Sequence, residues 1–443
     1  MKLFIITLQR QSADKIENQI NDGTFQVKRT AFLLVFRVKI SLVIYMKNDN
    51  KDVRKGVARA KFFFSFAATV LGVPVTLARN FHFKPFMVKE KTFIMMSNHA
   101  DNYDPVYSVL LTGRHMRFVM SDHLTRKKLY RFLFSFLASP IVYRREKGSD
   151  ELYDEIVKNC RAGVSVGIYV EGGKSDNGET GFVSHRNAEL VRDCGCALVT
   201  CRLKGGYLKA PRWADNERKG PIFGEIVNIY TKEELERMSL EEIYSHIISD
   251  IYVNAYEEQR KNPYRYTADN PAQSAEIILY VCPKCEQIGT LKSSGNEIRC
   301  ECGFSAETDD YGFWHSRDMP FDDIVCWDKF QRKMMKKLAD ESRGTDTFLF
   351  RDDEQIVYVL ENGNRVLLGN EGEVSLYADR LELSYENEKL CIPLAKIIRV
   401  GTASKMNLFI ITDENYYEIR SSKVRSAIKY KVAIRYLQGK GND

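Results

Sequence analysis

Phe93-Ile94-Met95-Met96-Ser97-Asn98-His99-Ala100-Asp101-Asn102-Tyr103-Asp104-Pro105 is the most informative stretch of this 443-residue chain. The apolar run Phe93 to Met96 reads as a strand, and Pro105 suits the first turn of a helix, so the backbone turns from one into the other here. Such a turn lets a histidine and an aspartate five positions apart meet, with Asp104 orienting His99. An imidazole whose ordinary pKa is about 6.5 suits a general base at neutral pH, and an adjacent carboxylate fixes its tautomer and stabilises the imidazolium. Alone, His99 also reads as a satisfied core histidine, so its surroundings decide.

From Thr92 to about Leu203, apolar runs (Phe93 to Met96, Gly163 to Val170, Ala197 to Leu203) alternate with helical stretches, which predicts an α/β domain. Leu129, Phe132, Leu133, Phe136 and Leu137 share one helical face behind the basic cluster Arg126, Lys127, Lys128 and Arg131; this helix either packs on the core or faces a membrane.

Asn98-His99 and Asp104 together resemble the N-H-x-x-x-x-D motif of the glycerolipid acyltransferase family, and further blocks follow in the family's order. Pro140-Ile141-Val142-Tyr143-Arg144-Arg145 is similar to the block whose arginine holds the acceptor's phosphate; Arg144 is the first choice and Arg145 the second. Glu171-Gly172-Gly173-Lys174-Ser175 resembles the glycine-containing block that follows a strand, where a carboxylate binds glycerol hydroxyls and a basic residue binds phosphate. Val170 and Gly173 stand where the family usually has proline and threonine, and Ala197 to Arg202 is similar to a pocket-lining strand without its proline. Lys204-Gly205-Gly206-Tyr207 and Pro211-Arg212-Trp213 read as a turn and a surface loop in preference to a second anion contact.

The resemblance covers about Lys55 to Asn262 and implies an α/β acyltransferase domain with a mixed sheet flanked by helices. It implies His99 as base and Asp104 as its orienter, with Asn98, Arg144, Arg145, Glu171, Gly172, Gly173 and Lys174 as substrate contacts. The implied reaction moves a fatty acyl group from acyl-CoA or acyl carrier protein to the free hydroxyl of a lysophospholipid, 1-acylglycerol 3-phosphate first. The competing reading is a non-catalytic lipid-binding protein built on a degenerate domain, which the altered third block supports.

Cys282-Pro283-Lys284-Cys285, 14 residues, then Cys300-Glu301-Cys302 predicts two thiolate knuckles around one hairpin, resembling a zinc ribbon with a structural Zn2+. Lys284, Lys292 and Arg299 stand against Glu276, Glu286, Glu297 and Glu301, so no nucleic-acid partner is expected. Residues 347–422 alternate like strands, with turns at Glu361 to Asn364 and Thr412 to Asn415, and a final helix places Ala427, Tyr430, Ile434 and Leu437 on one face. This resembles a pleckstrin-homology-like or GRAM-like module.

The net charge of +7 conceals +15 over residues 1–150 and −8 over the rest, so the front attracts anions. With 44% hydrophobic and 28% charged residues, disorder, collagen and a polytopic membrane protein are excluded. Phe62 to Ala78 is uncharged between Lys61 and Arg79 but contains Pro74, which favours docking in a bilayer interface over spanning it or packing as a core helix. The other cysteines are scattered and no cleaved secretory signal is evident, which predicts a reducing setting at the cytoplasmic face of a membrane, against a phospholipid surface. Met46 followed by Lys, Asn and Asp resembles a fresh start. Residues 234–261 read as an acidic helical segment and Asn262 to Gln273, with its two prolines, as a linker, so the expected organisation is an upstream extension (1–45), a membrane-interacting segment (46–80), the acyltransferase domain (81–265), a zinc ribbon (276–306), a helical connector (307–345) and a β-rich module closed by one helix (346–443).

Overall fold

The computed structural model describes residues 72–121, 139–143, 149–361, 364–386 and 388–441. Arg144, Arg145, the helix expected at Leu129 to Leu137, residues 1–45 and most of the Phe62 to Ala78 segment lie outside them; residues 72–79 are helical. Among the described residues, no helix is long and apolar enough to cross a membrane.

The first sheet comprises β1 (Phe81–Phe83), β2 (Phe93–Ser97), β3 (Arg117–Ser121), β4 (Ile141–Tyr143), β5 (Val166–Tyr169), β6 (Ala197–Lys204) and β7 (Ile222–Tyr230) in the order β1-β7-β6-β2-β5-β3-β4. Only the β6–β7 pairing is antiparallel, so the sheet is mixed, as expected. All five residues of β2 are buried, because apolar side chains on both faces meet helices. Phe93 and Met95 pack with α1 (Asp104–Thr112). Ile94 and Met96 pack on the opposite face with α2 (Asp150–Arg161) and α3 (Arg186–Cys194).

The connection from β2 runs past β5 to β3 along the α1 face, while that from β5 runs back past β2 to β6 along the α3 face. Neighbouring parallel strands whose connections part in opposite directions leave a crevice at their C-terminal ends. His99 follows β2 and Glu171 follows β5, so the motif residues stand at that crevice. Pro105 lies in the first turn of α1, and Gly113 ends it at φ 63°, where a Cβ would lie 2.8 Å from the Phe86 carbonyl oxygen.

After the one-turn α4 (Gly206–Lys209) and β7, the acidic segment expected to be helical forms α5 (Lys232–Arg237), α6 (Leu240–Ile251) and α7 (Ala255–Lys261). It is divided because Thr231–Glu234 and Ser239–Glu242 form capping boxes and Asn254 caps α7. Residues 262–273, read from their prolines as a linker, are instead docked. Tyr266 is buried and donates its hydroxyl to the Pro221 carbonyl oxygen at 2.9 Å, and Thr267 bridges to Lys219.

The cysteine segment folds as β8 (Leu291–Ser294), β9 (Glu297–Cys300), β10 (Ser305–Thr308) and β11 (Trp314–His315), an antiparallel sheet. Helix α8 (Ile324–Ser342) is more than a connector. Its Trp327 packs edge-on against Phe304 and Trp314, and its buried Gln331 donates to the Ile278 carbonyl oxygen at 3.0 Å and accepts from Val281 N at 3.0 Å.

Seven antiparallel strands follow: β12 (Phe350–Glu361), β13 (Asn364–Leu376), β14 (Arg380–Tyr385), β15 (Glu388–Pro393), β16 (Ile397–Ala403), β17 (Asn407–Thr412) and β18 (Tyr416–Ser421). Their order is β15-β14-β13-β12-β18-β17-β16, and α9 (Ile428–Leu437) closes them. Ala427, Tyr430, Ile434 and Leu437, expected on one face, are all buried. One hydrophobic core runs without a break from Ala100 and Tyr207 through Cys282 and Trp327 to Leu437.

Candidate active site

The strand-to-helix turn brings His99 Nδ1 to 2.7 Å from Asp104 Oδ2. The same oxygen accepts the amides of Ala100 at 2.8 Å and Asp101 at 2.9 Å, which fixes the carboxylate at the start of α1. The Asp104 side chain is 1% exposed and that of His99 22%, so the acid is enclosed and the ring reaches the surface. Because Asp104 engages Nδ1, Nε2 is the nitrogen left to exchange a proton with substrate. The Tyr169 ring stacks on the imidazole at 4.4 Å, and its hydroxyl is within 3.0 Å of Ser108 Oγ.

Glu171 braces the turn that carries His99. Its Oε1 accepts His99 N at 2.8 Å and its Oε2 accepts Gly181 N at 2.7 Å. Ser175 N donates to the His99 carbonyl oxygen at 2.9 Å, so the loop after β5 holds His99 from both sides of its backbone. Gly172 adopts φ 68°, and a Cβ built at Gly172 or Gly173 meets nothing within 4 Å, so this part of the loop faces open space. Lys174 is half-buried, and burial followed by the nearby Arg212 guanidinium lowers its pKa. Asn98, expected to touch substrate, is buried and spends both ends of its amide on the Leu203 backbone at 2.8 Å, tying the end of β2 to β6.

Burial pushes the Glu171 carboxyl from 4.5 up to about 7, against the pull of the two amides that favour its charged form. Between those values folded Glu171 keeps a proton that the unfolded chain has released, so its contribution to stability is full below about 4.5 and is lost as the pH rises through about 7. In urea unfolding, wild type is therefore expected to lose stability relative to Glu171→Gln between pH 5 and pH 8. A gain over that interval would contradict the assigned environment.

Sequence reasoning missed Tyr169 and the network on the far side of the turn. Buried Asp101 accepts from Arg79 at 2.6 Å and from the Tyr107 hydroxyl at 3.1 Å, while Arg79 also pairs with Glu217 and covers the Tyr103 ring. The position of Tyr169 at the end of β5, beside the end of β2, was the available signal. A cleft of about 950 Å³ lies along β1 and β7 and is lined by residues such as Phe83, Arg202, Phe223 and Tyr264. Its lining contains none of His99, Asp104, Glu171 or Lys174, so volume alone does not locate the chemistry.

The four cysteine sulfurs lie within 4.8 Å of one another, with Cys282–Cys302 and Cys285–Cys300 each 3.7 Å apart. A tetrahedron with metal–sulfur arms of about 2.3 Å has edges of about 3.8 Å, so the four thiolates fit one tetrahedral ion and leave no position for water.

Among solved structures, the chain is similar to the 1-acyl-sn-glycerophosphate acyltransferase PlsC of Thermotoga maritima, with 15% identity and a TM-score of 0.38 over 55% of this chain and 100% of that one. It is also similar to the Vps36 N-terminal PH domain, with 15% identity and a TM-score of 0.19 over 22% of this chain and 83% of that one. A third similarity is to the N-terminal PH domain of human ARAP2, with 14% identity and a TM-score of 0.17 over 20% and 81% of the two chains. No curated protein matches. Residues 78–204, which contain β1 to β6 and the whole His99–Asp104–Glu171 cluster, match the protein-family model described as Acyltransferase.

Proposed function

We propose that this protein transfers a fatty acyl group from an acyl thioester, acyl-CoA or acyl carrier protein, to the free hydroxyl of a lysophospholipid, with 1-acylglycerol 3-phosphate the first candidate. The observation that carries the reading is the 2.7 Å contact of His99 Nδ1 with an enclosed Asp104, at the crevice of a domain matching the acyltransferase family. Nε2 takes the proton of the acceptor hydroxyl as its oxygen attacks the thioester carbonyl carbon. The tetrahedral intermediate then expels the thiolate, which recovers the proton from the imidazolium, so ester and free thiol form together and the enzyme carries no acyl group. Asp104 stabilises the positive charge on the ring between the two transfers.

Lys174 and Gly172 stand beside Glu171 where an anionic acceptor headgroup can approach; Gly173 leaves room for it, and Arg144 and Arg145 are proposed to hold its phosphate. The front-loaded positive charge and the apolar Phe62 to Ala78 segment support docking at the cytoplasmic face of a membrane, where lysolipid and product reside. Four thiolates and the hairpin between them support a zinc ribbon with structural Zn2+. The seven strands closed by α9 support a pleckstrin-homology-like module. A non-catalytic lipid-binding role would rest on Val170 and Gly173, and the intact His99–Asp104 contact favours catalysis. The reading is tested by incubating purified protein with each donor and a panel of lysolipids and measuring diacyl product. Binding to liposomes without product from any acceptor would favour the non-catalytic role.

A further inference from the structure

The loop that carries Glu171 and Lys174 continues into residues held by parts of the chain far away in sequence. The Asp176 carboxylate is 13% exposed and lies 2.6 Å from Arg212 Nη1 and 3.3 Å from Lys431 Nζ on α9. Burial raises its pKa, but Arg212 and Lys431 more than offset this, so it stays charged. Arg212 in turn donates to Thr402 Oγ1 on β16 at 3.0 Å, and Asn177 donates to the buried Asp328 of α8 at 2.9 Å. The loop containing Arg212, read from sequence as a surface feature, is thus a bridge between the first sheet and the last. Its neighbour Trp213 is buried in the shared core.

These contacts bear on the chemistry because the loop is short and internally bonded. Ser175 lies between Lys174 and Asp176; its amide donates to the His99 carbonyl oxygen, and its hydroxyl donates to the Glu179 carbonyl oxygen at 2.8 Å. A displacement at Asp176 is therefore felt one residue away, at a hydrogen bond to the backbone of the proposed base. Ion pairs buried to this degree hold geometry strongly when complete, and removing one partner leaves an uncompensated charge.

We propose that Asp176 is a positioning residue for the acyl-transfer site, held by Lys431 and Arg212 so that the C-terminal sheet and α9 set the geometry of the loop beside His99. The acyltransferase reading underlies the kinetic part of this assignment, whereas the conformational part stands without it.

The test compares wild type with Lys431→Met, Lys431→Arg, Asp176→Asn and the Lys431→Met/Asp176→Asn double variant in the full chain. It follows hydrogen exchange of the 171–179 amides, kcat and KM with a lysolipid and an acyl thioester, and the unfolding midpoint. Lys431 is 28% exposed, so loss of its charge is expected to leave the fold intact. Lys431→Met should speed exchange at Ser175 and Gly178 and lower kcat by about tenfold, with the thioester KM within about twofold. Lys431→Arg should restore both, and the double variant should be no worse than Asp176→Asn, because Asp176→Asn already breaks the ion pair that Lys431→Met removes. Wild-type exchange and kcat in Lys431→Met would overturn the assignment. So would equal losses in the Met and Arg variants, or additive losses in the double variant. If wild type acylates no lysolipid, the functional reading falls and loop exchange alone decides whether Asp176 positions the loop.

Discussion

Replacing His99 by alanine is expected to lower kcat/KM for acyl transfer by about 100- to 10 000-fold while leaving the unfolding midpoint unchanged. A positioned general base contributes about that much, and removing the ring, which is 22% exposed and stacks on Tyr169, leaves Asp104 still held by the Ala100 and Asp101 amides. Asp104→Asn is expected to fall in the same range. An amide can still accept the Ala100 and Asp101 N–H groups but cannot stabilise the imidazolium or impose the same tautomer. Steady-state kinetics beside thermal melts separate the two causes. Near-native turnover in His99→Ala would remove the mechanism, and a folded, active Asp104→Asn would remove its electrostatic part.

The second large effect is expected at the cysteine cluster. Purified protein should contain one zinc per chain by elemental analysis, and Cys285→Ser should lose it. In small zinc sites, metal affinity is folding free energy, so loss of one thiolate should destabilise the chain by several kcal/mol, about 3 to 5 °C in melting midpoint for a chain of this length. Because Cys282 and Cys300 share a continuous core with Tyr207 and Ala100, the loss should extend beyond β8 to β11 and slow acyl transfer. Full metal content and an unshifted melt in Cys285→Ser would contradict the tetrahedral site.

The legible features were local. The β2 to α1 turn could be read because an apolar run, a histidine and an aspartate five positions apart and a proline specify it without reference to the rest of the chain, and His99 and Asp104 meet as that turn requires. The cysteine hairpin and the buried face of α9 were legible for the same reason, as short spacings with one geometric solution. Contacts between distant segments were not. Arg212 reaches Thr402 across 190 positions and Lys431 reaches Asp176 across 255, and single charged residues leave no periodicity to betray a partner. Composition misled at residues 262–273, where prolines suggested a linker although Tyr266 anchors the segment in the core. Asn98 shows a further limit: its side-chain chemistry suits a ligand, yet the main chain of Leu203 takes up both ends of its amide.

The most direct measurement of the central claim is a paired product assay: thiol released and diacyl lipid formed when purified protein meets lysophosphatidic acid with acyl-CoA or with acyl carrier protein. A single-step transfer to the acceptor hydroxyl predicts one molecule of diacyl product for each thiol, no label retained on the protein, and no thiol release from His99→Ala above background. Thiol release without lipid product, or an acyl group trapped covalently on the chain, would contradict it.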